Sequence, residues 1–314
     1  MAGKKRDAMA MPMRIQARKG SVAEQKYGKS ALPSGVWPKP KPQAIASGID
    51  PSPLDDLIFH GGRVVPQMEF QNIFLGSSAD WKQSDITNID SAIGRAMQNT
   101  RLNNVMVQYF PGASVTCDQR PLTVLNEVKP TLLDEPDVQA KIISLFDQGK
   151  IKKTDLNSTL FNLVLPPGTI LRLDNSSSLN GLGGYHGSVH ITRKQKKITL
   201  YYSANVFSQF LPGNQENGIV VFNQPWKNVV GTLYHEINEF RTDADVNDAI
   251  IKNDDDFLGW TSREGHECGD QPIFVANSLS QVFKEVLANG KKTPVQFMFS
   301  NAVHGAEGPI NQPH

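Results

Sequence analysis

The segment His235-Glu236-Ile237-Asn238-Glu239 holds the residue types and the spacing best suited to chemistry. On an α-helix, His235 and Glu239 are four residues and about 40° apart, so their side chains share one face and could share an ion. In the related His-Glu-x-x-His pattern of metallopeptidases, two imidazoles bind zinc and the intervening glutamate activates a bound water. A carboxylate is also an accepted zinc ligand. The spacing therefore predicts a zinc helix with His235 and Glu239 as ligands and Glu236 as the general base.

Zinc is the predicted ion, and calcium and manganese are the alternatives, because a site with fewer imidazoles is harder and more anionic. The same pattern can arise by chance on any solvated helix face. The neighbouring segments favour a site over chance. Residues 242–245 add two carboxylates where the helix ends, and a later segment adds His266, Glu267 and Asp270.

A third protein ligand is needed, because a catalytic zinc holds three protein groups and keeps one of its four positions for water. Asp243 continues the helical ridge at i+8 and is the favoured candidate if the helix stays regular through Thr242. Asp245 gains the position if the chain turns at Thr242, as in the longer zincin signatures. His186 is an imidazole from outside the helix, in the glycine-rich run 181–187, where the backbone can approach a ligand closely.

The helix that carries the motif is predicted over residues 226–242, with an apolar stripe nearly opposite its polar face. Around it, strand-like apolar runs alternate with segments of helical periodicity. This pattern predicts an α/β fold with a mixed sheet, flanking helices and a zincin-like metal helix. A strand is predicted over residues 104–110, and a last helix over residues 279–287 that closes at Gly290.

The charge of the chain is unevenly distributed. The total is +1, but residues 1–50 hold ten Lys and Arg against three acidic residues. With a run of prolines that ends at Pro53, this stretch cannot bury enough apolar surface to offset its ordering entropy. The sequence therefore predicts a disordered, basic, proline-rich tail over residues 1–53. A metallopeptidase-like α/β domain over 54–302 and a flexible C-terminal tail over 303–314 complete the predicted organisation.

Composition also excludes several classes of protein. With 39% hydrophobic and 20% charged residues, and no run of about 20 apolar residues, the chain is neither wholly disordered nor a membrane protein. The first apolar stretch is broken by Pro12, so no signal peptide is predicted. The expected location is the cytoplasm, or export without a classical leader. Nucleic acid is expected to bind only weakly, through the basic tail. Cys117 and Cys268 are equally compatible with one bridge or two free thiols.

The motif and its surroundings resemble a known family. The run from His235 to Asp243, followed by Gly259-Trp260 and by residues 267–270, is similar to a segment of the Exordium-like, phosphate-induced proteins and their bacterial and fungal relatives. In that family the segment reads His-Glu-x-x-Glu-x-x-Thr-Asp-Pro. The resemblance implies a peptidase-like fold and site.

Upstream segments look similar to the same family in the same order, namely residues 73–77 with Trp81, residues 160–168 and residues 184–187. One departure is Ala244, which stands where the family has its proline. Site residues implied by the resemblance are His235, Glu236, Glu239, Asp243, His186, Glu267 and Asp270.

Two functions are consistent with these patterns. The first is a zinc-dependent hydrolase, most simply a peptidase, whose substrate would be a peptide or a protein. The second is a non-catalytic binding or signalling protein that keeps a peptidase-like fold and a structural or vestigial metal site. They differ in whether the metal keeps an open coordination position for water.

Overall fold

A computed structural model describes residues 45–314, so most of the predicted N-terminal tail lies outside the described residues. The α-helices of the described chain are α1 (Gln83–Met97), α2 (Thr100–Met106), α3 (Glu135–Asp147), α4 (Pro225–Thr242), α5 (Val246–Lys252) and α6 (Asp270–Val275). Its strands are β1 (Ile58–Phe59), β2 (Gln67–Phe74), β3 (Thr116–Gln119), β4 (Thr123–Val124), β5 (Leu132–Leu133), β6 (Thr159–Val164), β7 (Ile170–Leu173), β8 (Ser176–Ser177), β9 (Gly184–Arg193), β10 (Lys196–Asn205), β11 (Gln209–Leu211), β12 (Gln215–Asn217), β13 (Trp260–Thr261), β14 (Phe283–Ala288), β15 (Lys291–Gln296), β16 (Met298–Ser300) and β17 (Gly305–Glu307).

The central sheet has the strand order β3–β2–β6–β10–β9, and β4 also pairs with β2. Strands β3, β4 and β6 pair in parallel with β2, and β10 pairs in parallel with β6. Strand β9 is antiparallel to β10 and forms one edge of the sheet, and the β9–β10 hairpin turns through Lys194 and Gln195, both at positive φ. This mixed sheet with flanking helices confirms the predicted α/β class.

Two apolar layers cover the sheet because successive strand residues project to opposite faces. On one face, Phe70 and Phe74 of β2 pack with α1 and α4. On the other face, Ile73 of β2 packs with Val138 and Ile142 of α3. Helix α4 therefore lies directly against the sheet, beside the edge strand β9.

A row of polar side chains crosses the buried sheet on the α4 side. Asn72, Asn162, Ser203 and His186 occupy facing positions on β2, β6, β10 and β9. Asn72 Nδ2 donates to Asp90 Oδ1 over 2.8 Å, and Asn162 Nδ2 donates to Asn72 Oδ1 over 2.9 Å. Ser203 Oγ then donates to Asn162 Oδ1 over 2.8 Å. Facing positions project to one side of a sheet, so this row leads to His186 at the edge.

Two predicted elements have the opposite type. Residues 104–110, predicted as a strand, belong to α2 and to a 3₁₀ turn over Val107–Tyr109. The helix α2 begins where the Asn99 side chain accepts a hydrogen bond from Leu102 N. Most of residues 279–287, predicted as a helix, form β14, which pairs antiparallel with β15.

Segments assigned to both tails pack against the domain. Ala46 is buried, and its N–H donates to Ala306 O over 2.9 Å. Ser52 N donates to His304 O, and β17 lies within the predicted C-terminal tail. The described domain therefore extends beyond the predicted limits of 54 and 302.

None of the helices in the described part of the chain combines the length and the apolar character that crossing a membrane requires. Cys117 and Cys268 are both buried, free thiols. Of the two alternatives that the cysteine count left open, the structure shows the unbridged one.

Candidate metal centre

Helix α4 brings together three of the predicted site residues. It begins at Pro225, whose missing N–H would be unsatisfied at a helix start in any case. Its apolar stripe is fully buried and consists of Val229, Val230, Leu233, Ile237 and Phe240. The polar face is buried as well, since His235, Glu236 and Glu239 are each 1% exposed. Buried charges in proteins are paired or bound to metal, so this face requires a partner.

His235 and Glu239 lie side by side. His235 Nε2 is 2.9 Å from Glu239 Oε2, and His235 Nδ1 is 2.9 Å from Gln296 Oε1. Gln296 Nε2 donates to the carbonyl of Gly269, which fixes the amide with its oxygen toward the ring. Nδ1 therefore carries the proton, and Nε2 presents a lone pair to the carboxylate. A cation, either a proton or a metal ion, is needed between them.

Two backbone N–H groups orient the Glu239 carboxylate. Gly269 N and Asp270 N donate to Oε1 over 3.2 Å and 3.1 Å. Oε2 accepts no hydrogen bond from any residue that the structure describes. Oε1 is thus held by two hydrogen bonds, and Oε2 is turned toward His235. Proteins orient the carboxylate ligands of metals by hydrogen bonds of this kind.

Asp270 completes a group of three possible ligands. Its Oδ1 is 3.6 Å from His235 Nε2, and one ligand atom each from His235, Glu239 and Asp270 lies within 4.8 Å of the other two. Zinc binds nitrogen and oxygen at about 2.0–2.2 Å, so tetrahedral ligands are about 3.3–3.6 Å apart. The separation of 3.6 Å between Nε2 and Asp270 Oδ1 lies in that range, and the separation of 2.9 Å between Nε2 and Glu239 Oε2 is shorter. The group could hold a metal ion.

His186 forms a second group with Glu236 and Glu239. Its Nδ1 is 3.5 Å from Glu236 Oε2 and 3.8 Å from Glu239 Oε2. Its Nε2 is 3.1 Å from the carbonyl oxygen of Asp243, which can only accept a hydrogen bond. Nε2 therefore carries the proton, and Nδ1 faces the two carboxylates with its lone pair. Strand β9 thus brings the predicted imidazole to the motif.

The other two candidates for the third ligand have different partners. Helix α4 ends at Thr242, and Asp243 leaves the helix with φ −151° and ψ 70°. The helix therefore ends one residue before Asp243 and does not carry it to the ion. Asp243 Oδ1 instead accepts a hydrogen bond from Gly259 N over 2.8 Å. Asp245 Oδ1 accepts from the Tyr201 hydroxyl over 2.7 Å. Neither carboxylate joins a group of possible ligands among the residues described.

Further acidic groups crowd the centre. Glu267 is fully buried, with Oε1 3.7 Å from His186 Nε2, and within the described chain neither of its carboxylate oxygens accepts a hydrogen bond. Burial, and then the charge of Glu239, raise the pKa of Glu267 well above its usual range. Burial, followed by the charges of Glu239 and Glu236, raise the pKa of Asp270 in the same way. Both shifts favour the protonated carboxyl groups in the metal-free protein, and a bound cation would favour the ionised ones.

His266, which the sequence placed near the site, lies apart from both groups. Its Nδ1 is 2.6 Å from Gln271 Oε1, and its ring stacks on Phe274 with the centroids 4.3 Å apart. Burial lowers the pKa of His266, which favours the neutral ring. Its contacts are those of a packed, neutral histidine.

Two residues that shape the site were not singled out from the sequence. Gln296 lies at the end of β15, and nothing in its neighbourhood predicts that it orients His235. Gly269 passes directly beside the imidazole, and a Cβ there would lie 2.7 Å from ring atoms Cγ and Cε1 and closer still to Nδ1. Only a glycine fits against the ring in its present position.

Comparisons of the chain with protein-family models, with curated proteins and with solved structures found no match. The resemblance to the Exordium-like proteins therefore stays a prediction. The geometry of the buried His and carboxylate groups is the basis for a function.

Proposed function

We propose that this chain is a zinc-dependent hydrolase, most simply a peptidase. His235, Glu239 and Asp270 would hold the zinc ion, and Glu236 would act as the general base. Asp270 replaces Asp243 as the proposed third ligand, because its carboxylate faces His235. The likeness of the motif to the zinc helix of metallopeptidases gives the reaction class.

The arrangement of His235 carries the proposal. Its Nδ1 proton is directed to Gln296, and its Nε2 lone pair is directed to two carboxylates. Metal-binding histidines have this arrangement, in which a hydrogen bond to one nitrogen fixes the tautomer and the other nitrogen binds the ion. A histidine that only balances charge at the protein surface needs neither a fixed tautomer nor buried carboxylates at its second nitrogen.

The chemistry that zinc would supply is the acidification of a bound water, whose pKa falls to about 7. Glu236 follows His235 on the same helix, and its Oε2 lies 3.5 Å from His186 Nδ1. The Glu236 carboxylate would accept the proton of the attacking water.

Metal analysis combined with a hydrolysis screen tests the proposal. The purified protein should carry zinc, and His235→Ala should lose it because a ligand is removed. Glu236→Gln should keep the ion held by His235 but lose hydrolysis, since an amide preserves shape and cannot accept the proton. His190→Ala is the matched control, because His190 is half exposed and bound to Asp248 and Thr199. Equal metal content in all four proteins would refute the site.

Burial favours a second candidate, a non-catalytic protein with a structural metal. His186, His235, Glu236, Glu239 and Asp270 are each at most 1% exposed, whereas a substrate must reach a catalytic ion. A closed structural ion has all its positions filled by protein. The two candidates separate in the cobalt-substituted protein. A catalytic ion would bind added azide and change its visible spectrum, whereas a structural ion would not.

A further inference from the structure

We propose that this centre holds two divalent cations that share Glu239. His235, Glu239 and Asp270 hold the first cation, which is the one in the proposed hydrolase. His186, Glu236 and Glu239 hold the second. The inference rests on the proposed function only for the first cation, and its test counts ions and does not depend on activity.

The shared ligand is a single oxygen atom. Glu239 Oε2 lies 2.9 Å from His235 Nε2 on one side and 3.8 Å from His186 Nδ1 on the other. The other oxygen, Oε1, is held by the N–H groups of Gly269 and Asp270, so Oε2 cannot turn away. Glu239 belongs to both groups of possible ligands, and its Oε2 accepts no hydrogen bond from the described residues.

The two imidazoles are oriented in the same manner from opposite sides of this oxygen. His235 donates from Nδ1 to Gln296, and His186 donates from Nε2 to the carbonyl of Asp243. In each ring the remaining nitrogen faces Glu239 and one further carboxylate, which is Asp270 for His235 and Glu236 for His186. Each half of the centre therefore offers one nitrogen and two carboxylates to an ion.

Glu267 supplies an independent indication of positive charge at this place. It is fully buried, lies 3.7 Å from His186 and forms no ion pair with a lysine or arginine among the described residues. With Asp243 it raises the number of buried carboxyl groups around the two imidazoles to five. When all five are ionised, one divalent ion offsets two of their negative charges and a second offsets two more. A buried carboxylate without a compensating charge is strongly unfavourable, so a pair of ions suits the cluster better than one.

The donor set indicates the class of cation. Imidazole ligands suit zinc, and carboxylate ligands suit manganese, so these two cations are the candidates for both halves. Hydrolases with two ions place them about 3.5–4 Å apart, where they stabilise both the attacking and the leaving oxygen. With the second cation bound, Glu236 is a ligand, and its role as general base applies to the centre that holds one ion.

Counting bound ions decides the matter. Metal-free wild-type protein would be titrated with Mn²⁺ and with Zn²⁺ by calorimetry, and elemental analysis would follow after desalting. Two equivalents are expected in wild type and in the His190→Ala control. One equivalent is expected in His186→Ala, His235→Ala and Glu236→Gln. In the Mn²⁺ form, the electron paramagnetic resonance spectrum of wild type should show a coupled pair, and that of His186→Ala an isolated ion.

A single equivalent in wild-type protein would overturn the inference, and so would two equivalents in His186→Ala. Because the wild-type count is decisive alone, the result does not depend on whether a variant folds. The proposed hydrolase fails differently: a protein with two bound ions and no hydrolytic activity would refute the enzyme and leave the paired site standing. A single ion in wild type that is lost in His235→Ala, together with hydrolytic activity of the wild-type protein, would refute the paired site and leave the enzyme standing.

Discussion

Replacing Gly269 with alanine is expected to damage the metal centre without changing a ligand. Gly269 has φ −88° and ψ −36°, a conformation that alanine adopts readily, so the effect is not one of backbone strain. The added methyl carbon would lie 2.7 Å from two atoms of the His235 ring. Non-bonded carbon atoms pack at about 3.5–4.0 Å, so the ring must retreat by roughly 1 Å.

That displacement exceeds what a metal site tolerates, since ligand distances are held within about 0.2 Å. Moving the ring also weakens its hydrogen bond to Gln296. We expect the affinity for zinc to fall by about 10–100-fold, as it does when a group that orients a ligand is lost. Overpacking should lower the free energy of unfolding of the metal-free protein by about 1–3 kcal/mol.

A competition titration with a chromophoric chelator measures the affinity, and urea unfolding without metal measures the stability. Gly305→Ala is the matched control, because a Cβ at Gly305 meets no atom closer than Val303 O at 3.9 Å. Wild-type zinc affinity in Gly269→Ala would refute the placement of His235 against this segment.

Three further outcomes follow from the structure. Asp270→Asn should abolish tight zinc binding, because it removes a proposed ligand. Asp243→Asn should change zinc affinity little, because the Asp243 side chain accepts from Gly259 N, as an asparagine oxygen can, and Asp243 contacts His186 only through its main-chain carbonyl. The reverse order in a zinc titration would restore Asp243 as the ligand. In the folded protein, the pKa values of Asp270 and Glu267 are raised. Above about pH 4 the unfolded chain therefore binds fewer protons than the folded one. The free energy of unfolding of the metal-free protein should then fall as the pH rises. Urea unfolding at about pH 5 and pH 8 measures that slope, and a rise in stability would contradict it. Ala46→Asp should cost about 1–3 kcal/mol in thermal unfolding, because Ala46 is buried; an unchanged melting temperature would show that residue 46 contributes nothing to the fold.

The elements with the strongest periodicity could be read from the sequence. Helix α4 was predicted over 226–242 and spans Pro225–Thr242, because a long amphipathic pattern leaves few alternatives. Short apolar runs are ambiguous, and the strand predicted at 104–110 is helical, because the Asn99 side chain caps a helix only seven residues long. At 279–287 the apolar spacing favoured a helix, but Asn289 and Gly290, both at positive φ, close a two-residue hairpin. That dipeptide was a signal for the hairpin in the sequence.

Some residues of the candidate site could likewise be predicted from local sequence, and others could not. Local spacing placed His235, Glu236 and Glu239 together, since four residues on a helix fix their relation. The position of Asp270 depends on how residues 267–270 fold back over α4, and that of Gln296 depends on the end of β15. No local pattern encodes such long-range approaches, so the third ligand could not be chosen from the sequence alone.

The centre is assembled from β9, from α4, from the start of α6 and from the end of β15, segments that are far apart along the chain. A partly folded chain presents only some of these groups, so we expect tight binding only after the last segment has docked. Bound metal should then act on the finished protein, slowing its unfolding and leaving its folding rate nearly unchanged. In a cell poor in metal, the chain would reach its native form at the usual speed and would lose it sooner.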